Sequence, residues 1–138
     1  MKQKDKRPYL ISLQQKGNPE EGYLSIATAH EEIPFSILRS FINYGTPSDI
    51  TRGRHAHYQT EMVLLCLQGR ITVQLEEKNG EKSEYILRNC QHGLYIPPLC
   101  WHVMHYQENS IQLVYCSTVY EEEDYIRDYD TFKVKTSI

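Results

Sequence analysis

Apolar and polar residues alternate along most of this chain with a period of two, which is the period of a β-strand. Residues 71–77 alternate in this way, and so do residues 35–41 and 111–115. Asn79-Gly80 separates residues 71–77 from the apolar positions of residues 83–87. An Asn-Gly pair favours the type I′ turn of a two-residue hairpin, because both central residues of that turn need a positive φ. The pattern therefore predicts a β-hairpin at this point of the chain.

Glycine and proline residues interrupt the alternating segments at intervals, among them Gly69 and Pro97-Pro98. Many short strands separated in this way are typical of an antiparallel sandwich or a small barrel. Residues 120–129 are the exception, because their acidic run suits the positive end of a short helix. A solvated charge run that covers a barrel edge is the alternative for this segment. We therefore predict an all-β fold with a short C-terminal helix.

The length and charge of the chain narrow the class of protein. A length of 138 residues predicts a single domain, residues 1–138. The longest apolar run, Met62 to Leu67, is far shorter than the ~20 residues of a membrane helix, and residues 1–15 lack a signal-peptide stretch. We therefore expect a cytoplasmic protein that binds no membrane. The net charge of −3 argues against nucleic acid as a partner. The four cysteines lack CxxC spacing, which argues against zinc ligands, and three of them, Cys66, Cys100 and Cys116, have apolar or aromatic neighbours that favour buried free thiols.

Residues 51–61 carry the most informative chemistry, because they contain two histidines at alternate positions, His55 and His57. If the strand is unbroken, both histidines and Glu61 lie on one face together with Val63 and the other odd-numbered aliphatic residues that follow. Apolar walls around a polar cluster at one end are typical of a barrel with a ligand site at its mouth.

A second cluster, residues 93–105, contains Trp101 and His102 after two prolines. A tryptophan beside a histidine can stack on one ring while the imidazole binds another group, although a plain core role for the tryptophan is the alternative. Together, the HxHxxxE and PxxxxH patterns resemble the two short motifs of the cupin superfamily. Taken literally, they supply four ligands for a divalent metal: His55, His57, Glu61 and His102.

Further stretches make this resemblance more specific. Those stretches are residues 33–39, RGRHAH at 52–57, Tyr95-Ile-Pro-Pro, Trp101-His102 and residues 120–132. With them the chain resembles the sugar nucleotide 3,4-ketoisomerases of the cupin superfamily (WxcM-like). The resemblance implies a cupin-type double-stranded β-helix, or jelly-roll barrel, and a homodimer. It also implies a reaction without a metal or another cofactor, in which the carbonyl of a dTDP-linked 4-keto-6-deoxy sugar moves from C4 to C3. Such products serve bacterial surface polysaccharides, including lipopolysaccharide and S-layer glycans.

The resemblance also implies roles for single residues. His55 and His57 would be the catalytic acid/base pair, since a ketone shift needs a base for the proton alpha to the carbonyl and an acid for the enediol oxygen. Histidine can serve in both directions, because its ordinary pKa is about 6.5. The residues implied for substrate binding are Tyr23, Arg39, Arg52, Tyr95, Trp101 and His102. The chain departs from the family pattern at Glu21, where an arginine is usual, at Phe41-Ile42 and at Tyr58-Gln59.

Three other functions fit the same residues. A metal-dependent cupin enzyme would use the four ligands named above. A nucleotide-sugar epimerase would pair a histidine with a tyrosine across the sugar ring and invert a centre. A non-catalytic binding protein would keep the pocket for a sugar nucleotide without the chemistry.

Overall fold

Antiparallel strands make up most of residues 6–136, the part of the chain that the computed structural model describes. The strands are β1 Tyr9–Ser12, β2 Gln14–Asn18, β3 Gly22–Ile26, β4 Arg39–Tyr44, β5 Thr51–His57, β6 Met62–Glu77, β7 Lys82–Leu87, β8 His92–Ile96, β9 Cys100–Cys116 and β10 Tyr125–Ile126. A 3₁₀ turn spans Glu122–Asp124, and a helix, α1, spans Tyr129–Thr136. Within the described part, no helix is both long and apolar enough to cross a membrane.

The two longest strands, β6 and β9, form the centre of the main sheet. They pair antiparallel over almost their whole length, from Met62 opposite Cys116 to Glu77 opposite Cys100. Strands β4 and β5 pair with the two halves of β9, whereas β8 and β7 pair with the two halves of β6. Strands β2 and β3 form a separate two-stranded sheet. This antiparallel architecture, with one small helix, confirms the all-β prediction.

Gly69 lies in a β-bulge of the continuous strand β6, not in the turn that its position in the sequence suggested. Its φ is 82°, and the register with β9 shifts on both sides of Gln68. A Cβ atom at Gly69 would lie 2.7 Å from the carbonyl oxygen of Glu108. The glycine therefore allows the two long strands to bend while they stay paired.

Apolar side chains form a core on each face of β6, because successive residues of a strand point to opposite faces. Met62 and Leu64 belong to a first core with residues of β7, β8 and β9. Val63 and Leu65 belong to a second core that packs against an N-terminal part of the chain, including Phe35. Three thiols are buried and free, as predicted: Cys66, Cys100 and Cys116. Both faces of the strand are thus apolar, and the histidines can share only one of them.

The predicted hairpin is present as β6 and β7, but its turn differs from the expected type. Only Gly80 of the Asn-Gly pair has a positive φ, 88°. The backbone N–H of Gly80 donates to the carbonyl of Glu77 at 2.8 Å, and the N–H of Glu77 donates to Glu81 at 2.8 Å. The loop therefore has three residues and ends on a glycine in the left-handed conformation, so the prediction of a two-residue type I′ turn is wrong.

The C-terminal helix begins later than residues 120–129 predicted. The first part of that segment forms the 3₁₀ turn and β10, in which Tyr125 lies opposite His57 and Ile126 opposite Ala56. The helix starts only at Tyr129, where the carboxylate of Asp128 accepts the backbone N–H of Thr131 at 2.8 Å. Pairing with β5 replaces helix formation here, since contacts across the sheet override local propensity.

Candidate active site

A cavity of about 440 Å³, which we call the histidine pocket, is lined by strands β4, β5, β6 and β9 and by the C-terminal segment. Its apolar wall includes Met62, Leu64, Met104 and Val114. Its polar lining includes Arg39, Arg52, His55, His57, His102, Tyr125 and Arg127. The pocket therefore combines imidazoles, guanidinium groups and an apolar wall, the composition expected of a site for a small polar ligand.

A β-bulge sets the position of the histidines on β5. The register between β5 and β9 shifts between Gly53 and His55, and Gly53 has a φ of 85°. A Cβ atom at Gly53 would lie 2.7 Å from the carbonyl oxygen of His102. The bulge also lets Nδ1 of His55 contact the carbonyl of Gly53 at 3.0 Å. The close approach of the two strands therefore requires a glycine before the first histidine.

Three imidazoles meet in the pocket. His55 lies opposite His102 in the ladder, and their Nε2 atoms are 3.2 Å apart. The ring centroid of His57 lies 4.8 Å from that of His55 and 5.7 Å from that of His102. Nε2 of His57 is buried and has no hydrogen-bond partner among residues 6–136. This nitrogen is therefore available to a ligand.

Burial keeps all three imidazoles neutral near pH 7, because it penalises their charged forms. It lowers the pKa of His57 to about 3, with a further contribution from the neighbouring His55. It also lowers the pKa of His55, against the opposing effect of the contact with Gly53, and it holds the pKa of His102 well below its ordinary value. A neutral imidazole has a free lone pair, so each ring can act as a base without first losing a proton.

Among the described residues, the charged side chains that line the histidine pocket are all cations: Arg39, Arg52 and Arg127. Nε of Arg39 is buried and has no partner within the described residues. Arg127 pairs with Glu122 through contacts of 2.7 and 3.0 Å, but Glu122 itself does not line the pocket. The lining therefore suits an anionic ligand.

The metal set that the motifs suggested is not assembled, because the chain is not an unbroken strand from His57 to Met62. Strand β5 ends at His57 and β6 begins at Met62, so the even-numbered residues of β6 face the histidines. Glu61 points away from them and accepts hydrogen bonds from Tyr95 Oη at 2.5 Å and from Lys6 at 2.6 Å. Within residues 6–136, the group able to approach a metal consists of the three histidines, whose nitrogen atoms lie within 4.8 Å of one another.

Asp124 holds the break between the two strands. Its carboxylate accepts the backbone N–H groups of Gln59 at 2.7 Å and Thr60 at 3.2 Å, and also the hydroxyl of Thr60. Its own carbonyl accepts the N–H of Tyr58 at 2.9 Å. The C-terminal segment thus fixes the residues that follow His57. Because the strand is interrupted there, the odd-numbered His55 and His57 face the pocket on β5 and the even-numbered residues face it at the start of β6.

Comparison with known proteins gives the family. A match to the FdtA family, described as WxcM-like, C-terminal, spans residues 6–137. The chain belongs to this family. It is 40% identical over 113 residues to a TDP-4-oxo-6-deoxy-alpha-D-glucose-3,4-oxoisomerase of Aneurinibacillus thermoaerophilus, a match that covers 81% of each chain. The resemblance to sugar nucleotide 3,4-ketoisomerases is therefore confirmed.

Solved structures of FdtA-type relatives have the same fold. QdtA, a sugar 3,4-ketoisomerase from Thermoanaerobacterium thermosaccharolyticum in complex with TDP, is 33% identical with a TM-score of 0.88, and the match covers 94% of each chain. WlaRA, a TDP-fucose-3,4-ketoisomerase from Campylobacter jejuni, is 27% identical with a TM-score of 0.87, covering 95% of this chain and 96% of the other. A dTDP-4-dehydrorhamnose 3,5-epimerase from Bacillus anthracis, 13% identical with a TM-score of 0.75 over 86% and 76% of the chains, shares the fold alone.

Two residues that the FdtA-type motifs placed in the pocket lie elsewhere. Tyr95 is buried in the second core, where its hydroxyl donates to Glu61. Trp101 packs outside the histidine pocket against α1, with its ring 5.3 Å from Tyr129 and 5.6 Å from Phe132. The predicted positions of both aromatic residues are therefore wrong. Each side chain lies on the face of its strand, β8 or β9, that is turned away from the histidine pocket. His102 has the opposite parity from Trp101 and does line the pocket.

Tyr23 is also outside the histidine pocket of its own chain. It lies on β3, in the separate two-stranded sheet, and its side chain is 66% exposed. Among the positions that depart from the FdtA-type pattern, Phe41 and Ile42 line the pocket, whereas Tyr58-Gln59 lines a different cavity. Phe41 and Ile42 therefore make the lining of this pocket different from that of the FdtA-type pattern.

Several residues of the histidine pocket were not predicted from the sequence. Met104, Tyr106 and Gln112 share the parity of His102 on β9, so alternation along that strand is a signal that could have found them. Tyr125 and Arg127 belong to the tail segment that resembles the family. No local sequence pattern predicts that this segment pairs with β5. Their presence makes the C-terminal segment a wall of the site.

Proposed function

We propose that this chain is an isomerase that moves the carbonyl of a TDP-linked 4-keto-6-deoxyhexose from C4 to C3 through an enediol. The observation that carries the proposal is the pair His55 and His57, two neutral imidazoles side by side in a cavity with a cationic lining, with His57 buried and His55 half-buried. The Aneurinibacillus relative is named for this reaction, which supports the choice of substrate.

The reaction needs two proton transfers on each side of the enediol. A neutral imidazole of the pair takes the C3 proton, and the imidazolium so formed gives a proton to the carbonyl oxygen at C4, which yields the enediol. An imidazole then takes the proton of the C3 hydroxyl and returns a proton to C4, so the carbonyl stands at C3. The low pKa of His57 supports its role in the return step, because a buried imidazolium gives up its proton readily. The unpartnered Nε2 of His57 supports direct contact with the sugar.

We assign the binding of the diphosphate or of sugar hydroxyls to Arg39 and Arg52, with His102 beside the sugar. Both guanidinium groups line the histidine pocket, and the unpartnered Nε of Arg39 supports a contact with a ligand. A guanidinium matches the geometry of a phosphate oxygen pair, which supports an anionic diphosphate at this end of the pocket. Tyr95 and Trp101 have packing roles in this assignment.

We also infer a homodimer. The sheet formed by β2 and β3 pairs with no other strand of residues 6–136, and it exposes Tyr23 and Leu24. Exposed apolar side chains on an isolated hairpin support contact with a second copy. Tyr23 would then bind the sugar in the pocket of the partner copy, since it cannot do so in its own.

We place the reaction in the cytoplasm, on the path to bacterial surface polysaccharides such as lipopolysaccharide or S-layer glycans. The names of the relatives support a nucleotide-activated sugar as substrate. A carbonyl at C3 is the group that an amine donor needs, so the product suits the synthesis of amino sugars.

The test is incubation with freshly made TDP-4-keto-6-deoxyglucose in deuterated water, followed by NMR of the sugar. We expect the unmodified protein to form the 3-keto isomer with deuterium on the ring. His57→Asn should lower turnover by about 10²–10⁴-fold. His105→Asn is the control, because His105 contacts Gln74 at 3.2 Å outside the histidine pocket.

Each other result contradicts a different part of the proposal. Normal turnover by His57→Asn would remove His57 from the mechanism. Binding of TDP without any deuterium exchange in the unmodified protein would indicate a binding protein. Inversion of a ring centre without a carbonyl shift would indicate an epimerase.

A metal-dependent reaction is the second candidate. The convergence of three imidazole nitrogen atoms within 4.8 Å favours it, because imidazole is a common ligand of divalent metals. The position of Glu61 disfavours it, since no carboxylate within residues 6–136 completes the set that the motifs suggested. Stoichiometric iron, manganese or nickel in the purified protein, with activity that follows the metal content, would replace the first proposal.

A further inference from the structure

Tyr125 lies in the histidine pocket beside the proposed acid/base pair, and the proposed function gives it no role. It lies on β10 directly opposite His57 in the ladder with β5. The centroid of its ring is 4.5 Å from that of His57 and 5.0 Å from that of His55. One phenol ring therefore packs against both imidazoles.

The hydroxyl of Tyr125 is free to bind a ligand, unlike those of the other tyrosines that line the pocket. The hydroxyl of Tyr106 donates to Gln112 at 2.7 Å, and that of Tyr120 donates to Glu122 at 2.5 Å. The hydroxyl of Tyr125 has no hydrogen bond with any residue from 6 to 136. A donor without a partner at the edge of a ligand cavity is available to a sugar oxygen.

A cation lies over the same ring. The guanidinium carbon of Arg127 is 4.3 Å from the centroid of Tyr125, and Glu122 holds that guanidinium with contacts of 2.7 and 3.0 Å. A cation is attracted to the face of a phenol ring and so helps to hold the ring in its position. Arg127 is also the member of the ion pair that lines the histidine pocket, so its positive charge is close to the reacting groups.

We propose that Tyr125 is a further catalytic residue, whose hydroxyl donates a hydrogen bond to the C4 oxygen of the sugar, where negative charge develops before that oxygen receives its proton from the imidazolium, with Arg127 as its positioning residue. The inference rests on the proposed ketoisomerase function. The carbon proton goes to an imidazole, and Tyr125 keeps its own proton throughout. A donor aimed at a developing oxyanion stabilises the transition state more than the ground state, so it acts on kcat.

Tyr125→Phe separates this role from simple packing, because phenylalanine keeps the ring against both imidazoles and removes only the hydroxyl. We expect kcat to fall by about 10²-fold or more. We expect the Kd for TDP to stay unchanged, since TDP lacks the keto sugar. Tyr129→Phe is the matched control: it removes a hydroxyl that donates to Glu76 outside the pocket, and kcat should stay unchanged.

A kcat for Tyr125→Phe equal to that of the unmodified protein would overturn the proposal and leave only a packing role. Failure of the unmodified protein to convert the sugar would instead overturn the ketoisomerase function, so the two failures are distinguishable. If Tyr125→Phe no longer binds TDP, its kcat does not test the role of the hydroxyl. Arg127→Gln then tests the proposal, because it keeps the hydroxyl of Tyr125 and removes the cation over the ring. We then expect a lower kcat, with recovery in Arg127→Lys, and an unchanged kcat in Arg127→Gln would overturn the proposal.

Discussion

The Nε2 atoms of His55 and His102 face each other at 3.2 Å across the ladder between β5 and β9. Nδ1 of each ring contacts a backbone carbonyl, that of Gly53 at 3.0 Å and that of Cys100 at 3.1 Å. Because a carbonyl oxygen only accepts, both Nδ1 atoms carry the hydrogen of a neutral ring. A hydrogen bond between the two Nε2 atoms therefore requires one additional proton, which the two rings can share only at a pH below the range in which both are neutral.

We expect these two histidines to titrate as a pair. Burial lowers the pKa of both rings, so the shared proton leaves at a pH below that at which free imidazole titrates. Nitrogen NMR of labelled histidine should show both Nε2 signals moving together while both Nδ1 atoms stay protonated. In His102→Asn, His55 should titrate alone. Separate titrations of the two rings in the unmodified protein would contradict a shared proton.

We expect the protein to lose stability in acid because His57 is buried in its neutral form. Its pKa is about 3 in the folded protein against 6.5 for the ordinary group, with burial as the main cause. Between these values the unfolded chain binds more protons than the folded one, so the free energy of unfolding decreases as the pH falls from 6.5 towards 3. Above pH 6.5 this contribution is fully present.

Urea unfolding at a series of pH values measures this effect. His57→Asn should lose less stability over the acid interval than the unmodified protein, since asparagine does not titrate there. His105→Asn is the control and should follow the unmodified protein. An equal acid loss in the His57 variant would show that His57 is not the group responsible.

Glu61→Gln should leave turnover close to that of the unmodified protein. Glu61 accepts hydrogen bonds from Tyr95 and Lys6 on the far side of the sheet, and glutamine keeps an oxygen that can accept from Tyr95. A metal ligand would behave differently, because its loss would remove the metal and the activity together. Turnover and elemental analysis of both proteins check the expectation. Joint loss of metal and activity would make Glu61 a ligand after all.

Asp124→Asn should lower both stability and turnover. Asp124 accepts backbone N–H groups of Gln59 and Thr60, and asparagine would present a donor group to one of these donors. Hydrogen bonds to a charged group are worth about 1.5–3 kcal/mol each, so urea unfolding should show a loss of that order. Turnover should fall as well, because these residues directly follow His57.

Asp128→Ala is the matched control for Asp124→Asn. Its carboxylate accepts the N–H of Thr131 at the start of α1, away from the histidine pocket. Loss of this cap should cost about 1 kcal/mol and leave kcat unchanged. If both substitutions lower kcat equally, general destabilisation explains the effect, and Asp124 has no particular role in placing His57.

Local pattern was enough to predict the fold class, the hairpin and the central pair of histidines. Alternation over residues 71–77 predicts a strand because side chains of a strand point to opposite faces in turn, whatever the strand pairs with. His55 and His57 are two residues apart, so their common face depends only on β5 itself. The tail at residues 120–132 and the RGRHAH run were specific enough to give the family.

The rest of the site depends on contacts between residues that are far apart in the chain. Backbone N–H groups of Gln59 and Thr60 donate hydrogen bonds to the carboxylate of Asp124, more than 60 positions away, at the strand break that places Glu61 on the opposite face. Pairing of β10 with β5 brings Tyr125 to the histidines. Such pairings are chosen by the burial and hydrogen bonding of the whole sheet, and no short stretch of sequence carries that information.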